Sequence, residues 1–286
     1  VFISWLVGGA SADAAELQEG MVYRRVGNEE LMLDMARPKG SGPFPAIVFI
    51  HGGGWYQGSR QAYHASIQEA ADRGYVAVTV SYRLMEFDQT QKETTSATPI
   101  FPAQLHDVKA AIRWLRANSD KYGIDPMRIG VTGASAGGHL SLMLGLSDEE
   151  SDLEGDGEHL DQSSRVQAVV NVFGPTDMEA CYTSSSVAWI FRLFLGGTPD
   201  QQAVTYSQAS PIFFATADDP PVLTLHGDQD LLVPIAQAKM LDAKMQSVGG
   251  DHSLRVFEGS GHGFAGETRK QADAAMWAFF QKTLKP

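Results

Sequence analysis

The chain has 286 residues and sets 34 acidic side chains against 22 basic ones, a formal net charge of −12. That balance argues against a nucleic-acid polyanion as partner, and a 43% hydrophobic content suits a folded domain with a real core. A single cysteine, Cys181, excludes an intrachain disulfide and a cysteine-built metal cluster.

The first residues, "VFISWLVGGASADAAE", open with an apolar run too short to span a bilayer, so no stable membrane insertion is expected. Ala10-Ser11-Ala12 follows, an A-x-A pattern like the end of a secretory signal peptide cleaved after Ala12. Residues 1–16 therefore read either as a signal-peptide remnant, which implies a secreted or periplasmic protein, or as a plain leader, which leaves a cytoplasmic one open, and residues 17–286 read as one domain.

"YRRV" and "LMLDMARP" (23–38) read as a hairpin turning at Gly27-Asn28. "PAIVFI" (45–50) is a continuous apolar run, as expected of a strand covered on both faces. Further runs of this kind lie at 75–82, 128–133, 166–174, 221–227 and 254–259. Helical patterns fall between them. Leu105, Val108, Ile112 and Leu115 share a face within 102–118, and 138–146, 235–248 and 268–284 read similarly. Strand–helix alternation predicts an α/β fold, a mostly parallel central sheet with helices on both faces.

Three segments break the alternation. Residues 84–102 are polar, with Pro99 and Pro102, and read as a long loop. Residues 148–161 carry eight acids and no Lys or Arg, and are expected to be a solvated loop. A calcium loop is the alternative there, since Asp152, Glu154, Asp156 and Gly157 partly mimic an EF-hand; Ser163 stands where that loop needs a bidentate Glu. Residues 175–215 contain "VAWIFRLF", in which Val187, Ile190, Phe191 and Phe194 share a helical face; the segment reads either as a small lid or as one more helix packed on the core.

Gly133-Ala134-Ser135-Ala136-Gly137 is G-x-S-x-G, placed after an expected strand and opening an expected helix. Such a sharp turn strains the serine backbone, needs tiny neighbours and projects Oγ above the strand ends. The N–H of Ala136 then stands near a developing oxyanion. His51-Gly52-Gly53-Gly54-Trp55 follows "PAIVFI", and its glycines let backbone N–H groups approach the same point. A nucleophilic serine needs a base, and the base an acid to fix its tautomer. "LHGDQDLLVP" (225–234) offers two acids, Asp228 and Asp230, and "GSGHGF" (259–264) offers His262. The order Ser…Asp…His and the position of every motif after a strand point to acyl transfer.

On these motifs, together with "SYRL", "GPTD", "LGGTP" and "ASPI", the chain resembles the hormone-sensitive-lipase-like α/β-hydrolases. Within them it is similar to small bacterial esterases grouped with bifunctional feruloyl/acetyl-xylan esterases. The resemblance implies that Asp230, the last aspartate of H-G-x-x-D, is the acid, and that Gly53 and Gly54 join Ala136 in the oxyanion hole. It implies a carboxylic ester hydrolase acting on short-acyl or carbohydrate-linked esters, with no cofactor and no metal. An arylformamidase or amidase could use the same triad, and a non-catalytic binding protein could share the fold. Trp55, Trp189 and Phe194 read as lining an acyl or alcohol pocket, or else as core. Tyr82 and Arg83 read as braces. His51, His106 and His139 read as structural, and Cys181 as a small, unreactive side chain.

Overall fold

The computed structural model describes residues 16–88, 96–147 and 153–285. The Ala10-Ser11-Ala12 pattern lies outside the described residues, as do Asp152 of the calcium-like motif and part of the 84–102 loop.

The apolar runs form the centre of an eight-stranded sheet. In chain order the strands are β1 (Glu16–Val26), β2 (Glu29–Arg37), β3 (Phe44–Ile50), β4 (Val76–Val80), β5 (Ile124–Ala134), β6 (Ala168–Val172), β7 (Val222–Gly227) and β8 (His252–Phe257). Their spatial order is β1-β2-β4-β3-β5-β6-β7-β8. The β1–β2 hairpin joins antiparallel to β4. All pairings from β4 across to β8 are parallel. Side chains alternate faces along β3: Ala46, Val48 and Ile50 enter one apolar cluster, Ile47 and Phe49 the other. A strand with two buried faces has no polar face to show, which is why its sequence reads as an unbroken apolar run.

The helices are α1 (His64–Asp72), α2 (Ala103–Ala117), α3 (Ser119–Tyr122), α4 (Ala136–Leu146), α5 (Met178–Ser184), α6 (Ala188–Phe194), α7 (Ala203–Gln208), α8 (Ala236–Val248) and α9 (Gly266–Leu284). Every residue of α4 is buried, in keeping with its apolar character all round. On α2 the expected face, Leu105, Val108, Ile112 and Leu115, is buried, but so are Asp107, Lys109 and Arg113 on its other sides.

Among its described residues the acidic run is largely the solvated loop expected, with residues 155–158, Leu160 and Asp161 exposed, but Glu154 departs from that reading because of those buried cations. Glu154 pairs with both Lys109 and Arg113, the latter at 3.1 Å, and accepts from the Ser164 hydroxyl at 2.9 Å. Asp156 holds Arg24 at 2.6 Å. The physical reason is that a buried ammonium and guanidinium need a compensating charge, and this stretch brings the carboxylate to them. Glu154 is thereby engaged as a counter-ion, which also weighs against the calcium-loop alternative.

Candidate active site

The residues singled out in the sequence lie at the carboxyl ends of neighbouring parallel strands, the side of an open α/β sheet where ligands bind. Ser135 occupies the turn between β5 and α4 with φ 57° and ψ −121°, a conformation costly for a residue with a Cβ. The turn is tight: a Cβ on Gly137 would stand 2.1 Å from the Ile50 carbonyl oxygen. The N–H of Ala136 is the first of α4, among the donors that a helix start leaves without an intrahelical partner.

His262 follows β8, and its Nε2 lies 2.9 Å from Ser135 Oγ while its Nδ1 lies 2.7 Å from Asp230 Oδ2. A carboxylate only accepts, so Nδ1 carries the proton and Nε2 is left as the acceptor for the serine hydroxyl. Asp230 follows β7 and is 4% exposed. Its Oδ1 accepts from the backbone N–H groups of Leu232 and Val233, each at 2.9 Å. Burial is the largest influence on this carboxyl and pushes its pKa up. Hydrogen bonds from His226, His262 and the Val233 N–H together outweigh it and hold the pKa well below the usual carboxylate range. Asp228, the competing acid, instead accepts from the Gly259 N–H at 2.7 Å.

Ser135 and His262 open onto a cavity of about 360 Å³, also lined by Gly53, Gly54, Trp55 and Trp189. Gly53 has φ 114°, and a Cβ there would lie 2.1 Å from the Gln57 carbonyl oxygen. His51 braces this glycine loop: its Nδ1 donates to the Gly52 carbonyl at 2.9 Å, its ring stacks on Tyr82 at 4.3 Å, and the Tyr82 hydroxyl donates to its carbonyl. Arg83 points elsewhere, donating to the Asp107 carboxylate at 2.8 Å.

Of the three aromatic residues expected in the pocket, Trp55 and Trp189 line it and Phe194 does not. Trp55 is only 2% exposed and forms a wall, whereas Trp189, 43% exposed, stands on α6 with Tyr56 and Phe87 in a cluster of mutually contacting rings. Phe194 is fully buried behind Trp55, stacked on it at 4.1 Å and 6°. One turn of helix separates the two outcomes, since Ile190, four residues earlier, faces the cavity. The segment thus joins both readings made of it: Phe194 is core, Phe191 is buried yet reaches the cavity, and Val187, Trp189 and Ile190 cover the cavity.

The sequence did not single out Phe173, Leu232 or Val233, which also line the cavity. Phe173 packs its ring against the His262 imidazole at 4.6 Å. The available signals were the aromatic residue before Gly174-Pro175 and the Leu-Leu-Val run directly after Asp230. Three of the other histidines have structural partners. His139 Nε2 donates to the Ala209 carbonyl at 2.7 Å, His226 Nε2 to that of Val233 at 2.7 Å, and His252 pairs with Asp242 at 2.8 Å. Burial pushes the Cys181 thiol well up, so it stays protonated. Glu19, Asp34 and His64 converge closely enough to hold a metal ion. Arg60, however, donates to Asp34 at 2.9 Å and already supplies the positive charge there.

Strand order, a strained serine on the turn from β5 into α4, and an imidazole between serine and carboxylate define an α/β-hydrolase architecture. Comparison with known proteins agrees. The model of the family described as BD-FAE matches residues 33–245, and the chain belongs to that family. It is 33% identical over 241 residues to esterase LipC of Mycobacterium tuberculosis, an alignment covering 82% of this chain and 57% of LipC. The chain spans about half the length of the curated relatives it matches. Among solved structures it is similar to the propionate-bound esterase Est2 of Thermogutta terrifontis, with TM-score 0.76, 28% identity and 96% of each chain covered. It is equally similar, at TM-score 0.76 and 28% identity, to a truncated carbohydrate esterase from gut microbiota, covering 96% of this chain and 99% of that one.

Proposed function

We propose that the chain is a serine carboxylesterase that hydrolyses short-acyl or carbohydrate-linked esters through an acyl-enzyme. The observation that carries the reading is the continuous hydrogen-bond chain Ser135–His262–Asp230 ending in a cavity of about 360 Å³. In the mechanism, His262 Nε2 takes the Ser135 proton as Oγ attacks the ester carbonyl. Asp230 holds the imidazole tautomer and stabilises the imidazolium. The N–H groups of Gly53, Gly54 and Ala136 receive the oxyanion. The imidazolium returns its proton to the leaving alcohol, and water, deprotonated by the same imidazole, then releases the acid and restores Ser135.

Four observations support the substrate class. Trp55, Ile190 and Phe191 bound a small apolar space beside Ser135. The Est2 relative holds propionate in one structure and butyrate in another. The gut relative is described as a carbohydrate esterase. Trp189 with Tyr56 and Phe87 offers an aromatic surface at the mouth for the alcohol portion. The test is Ser135→Ala, assayed on a p-nitrophenyl ester chain-length series beside acetylated xylan, methyl ferulate and N-formylkynurenine. The variant should fold and lose at least 10³-fold in kcat, the order reached when a triad member is removed. Near-normal turnover overturns the mechanism. A wild-type preference for formylkynurenine, or for acyl chains beyond about ten carbons, overturns the substrate class, because a small apolar pocket discriminates by fit.

A further inference from the structure

A second cavity, of about 240 Å³, lies behind the histidine loop, between the carboxyl ends of the central strands and helices α1 and α9. It touches neither Ser135 nor His262, yet Ala134 and Phe173 line both cavities, so the two share a wall. Phe49, Tyr63, Phe173 and Phe264 bring four aromatic rings to it, and Met276 adds a polarisable side chain. The lining holds one cation and one anion, Arg269 and Asp273, and these are spent on each other: Arg269 Nε donates to both Asp273 oxygens at 2.8 Å. Neither offers an uncompensated charge to a ligand.

Phe173 is the unusual member of the wall. Its φ is 42°, in the left-handed region that a residue with a Cβ adopts only at a cost. Its ring stands 4.6 Å from the His262 imidazole and 5.3 Å from Phe264. A strained aromatic residue between an imidazole and an aromatic-lined cavity carries contact from one to the other. The rear cavity, open to solvent on the side of Arg269 and Asp273, exceeds in volume the about 150 Å³ of an apolar cavity that takes up benzene.

We infer that the rear cavity is a binding site for a small uncharged aromatic molecule, and that its occupancy is felt at His262 through Phe173. The binding rests on the cavity alone; only its consequence for catalysis rests on the esterase reading above.

The experiment uses toluene, which fits the cavity and, having no hydroxyl, cannot accept an acyl group. Melting is followed with toluene up to its aqueous solubility, on free enzyme and on enzyme whose Ser135 carries a diethyl phosphoryl group from diethyl 4-nitrophenyl phosphate. At ten times Kd a ligand of the folded state multiplies the folded-to-unfolded ratio about elevenfold, which for a chain of this size raises Tm by about 3 °C. The inference expects this rise with Ser135 free and with Ser135 blocked, together with a displacement of the His262 imidazole NMR resonances. It also expects the rise to disappear in Ala272→Leu, whose larger side chain enters the rear cavity. A rise that vanishes when Ser135 is blocked places toluene in the front cavity and overturns the inference, as does the absence of any rise. Failure of Ser135 to become phosphorylated counts against the esterase reading instead, and the rear site is then judged by wild type against Ala272→Leu. Should Ala272→Leu not fold, the blocked and free wild-type curves decide.

Discussion

Replacing Asp230 by Asn changes one oxygen for one NH₂ group, and the structure dictates which way the amide turns. Asp230 Oδ1 accepts two backbone N–H groups, from Leu232 and Val233 at 2.9 Å each. An amide nitrogen cannot accept, so the Asn carbonyl oxygen must take that position. The NH₂ group then occupies the place of Oδ2 and points at His262 Nδ1, 2.7 Å away in the native protein. It donates, which forces Nδ1 to be the acceptor and moves the imidazole proton to Nε2. Nε2 can no longer take the proton of Ser135. Holding the wrong tautomer in otherwise intact geometry costs about 10⁴ in kcat in a serine protease triad, equivalent to about 5.4 kcal/mol of transition-state stabilisation. The assay is kcat on p-nitrophenyl acetate at pH 7–8, with far-UV circular dichroism and Tm as controls for folding. A fall below tenfold in a folded variant would refute the tautomer argument. Asp228→Asn is the internal control: Asp228 serves only the Gly259 N–H among the bonds described, and the variant should stay within about tenfold of wild type.

Other consequences are open to measurement. Glu154→Gln removes the carboxylate shared by the buried Lys109 and Arg113 and should cost about 3–5 kcal/mol of stability, read from urea midpoints at unchanged m; a loss under 1 kcal/mol would mean that water already compensates those cations. Burial of His139 lowers its pKa from 6.5 to about 4. The unfolded chain therefore binds a proton there before the folded one does, and stability falls as pH drops from about 6.5 towards 4, by up to about 3 kcal/mol. His139→Gln, which can still donate to the Ala209 carbonyl but does not titrate, should flatten that slope by one proton; an unchanged slope assigns it to other groups. Trp189→Ala should raise KM for esters of bulky or ring-bearing alcohols while leaving kcat on small acetates within about twofold, since the side chain stands at the rim. A uniform fall in kcat would place Trp189 closer to the reacting atoms.

The parallel sheet was legible because β3 to β7 are covered on both faces, so burial wrote itself into the sequence as unbroken apolar runs. The spatial grouping of Ser135, His262 and Asp230 was legible for a related reason. Ser135 and Asp230 stand directly after such runs and His262 after the more exposed β8, each where a tight turn needs small residues, and the sheet then brings the strand ends together. The rest of the structure depends on contacts that no local pattern records. Helix α1 buries only Ile67, Ala70 and Ala71, too little apolar surface for a strong periodic signal. The burial of Lys109 and Arg113 on α2 is not written in the helix itself, because the sequence does not say that Glu154 will fold back over them. Phe194 and Ile190 occupy one helical stripe, and only the rotation of α6 decides which reaches the cavity. Phe173 gave no periodic signal at all; its left-handed backbone is imposed by the loop it opens.

Ser135 and His262 are 127 positions apart in sequence, yet 2.9 Å apart in space. His262 is delivered by β8, which among the described residues is the outermost strand on its side of the sheet, paired with β7 alone and partly open to solvent along its length. Turnover therefore reports on the attachment of one rim of the protein, whereas spectroscopic signals average over the whole sheet. Edge elements open at lower free energy than the centre. In rising urea, activity should disappear ahead of the circular dichroism signal, and a ligand or surface that clamps β8 would close the gap between the two curves. The edge strand β8 is thus the one that arms a serine placed more than a hundred residues earlier in the chain.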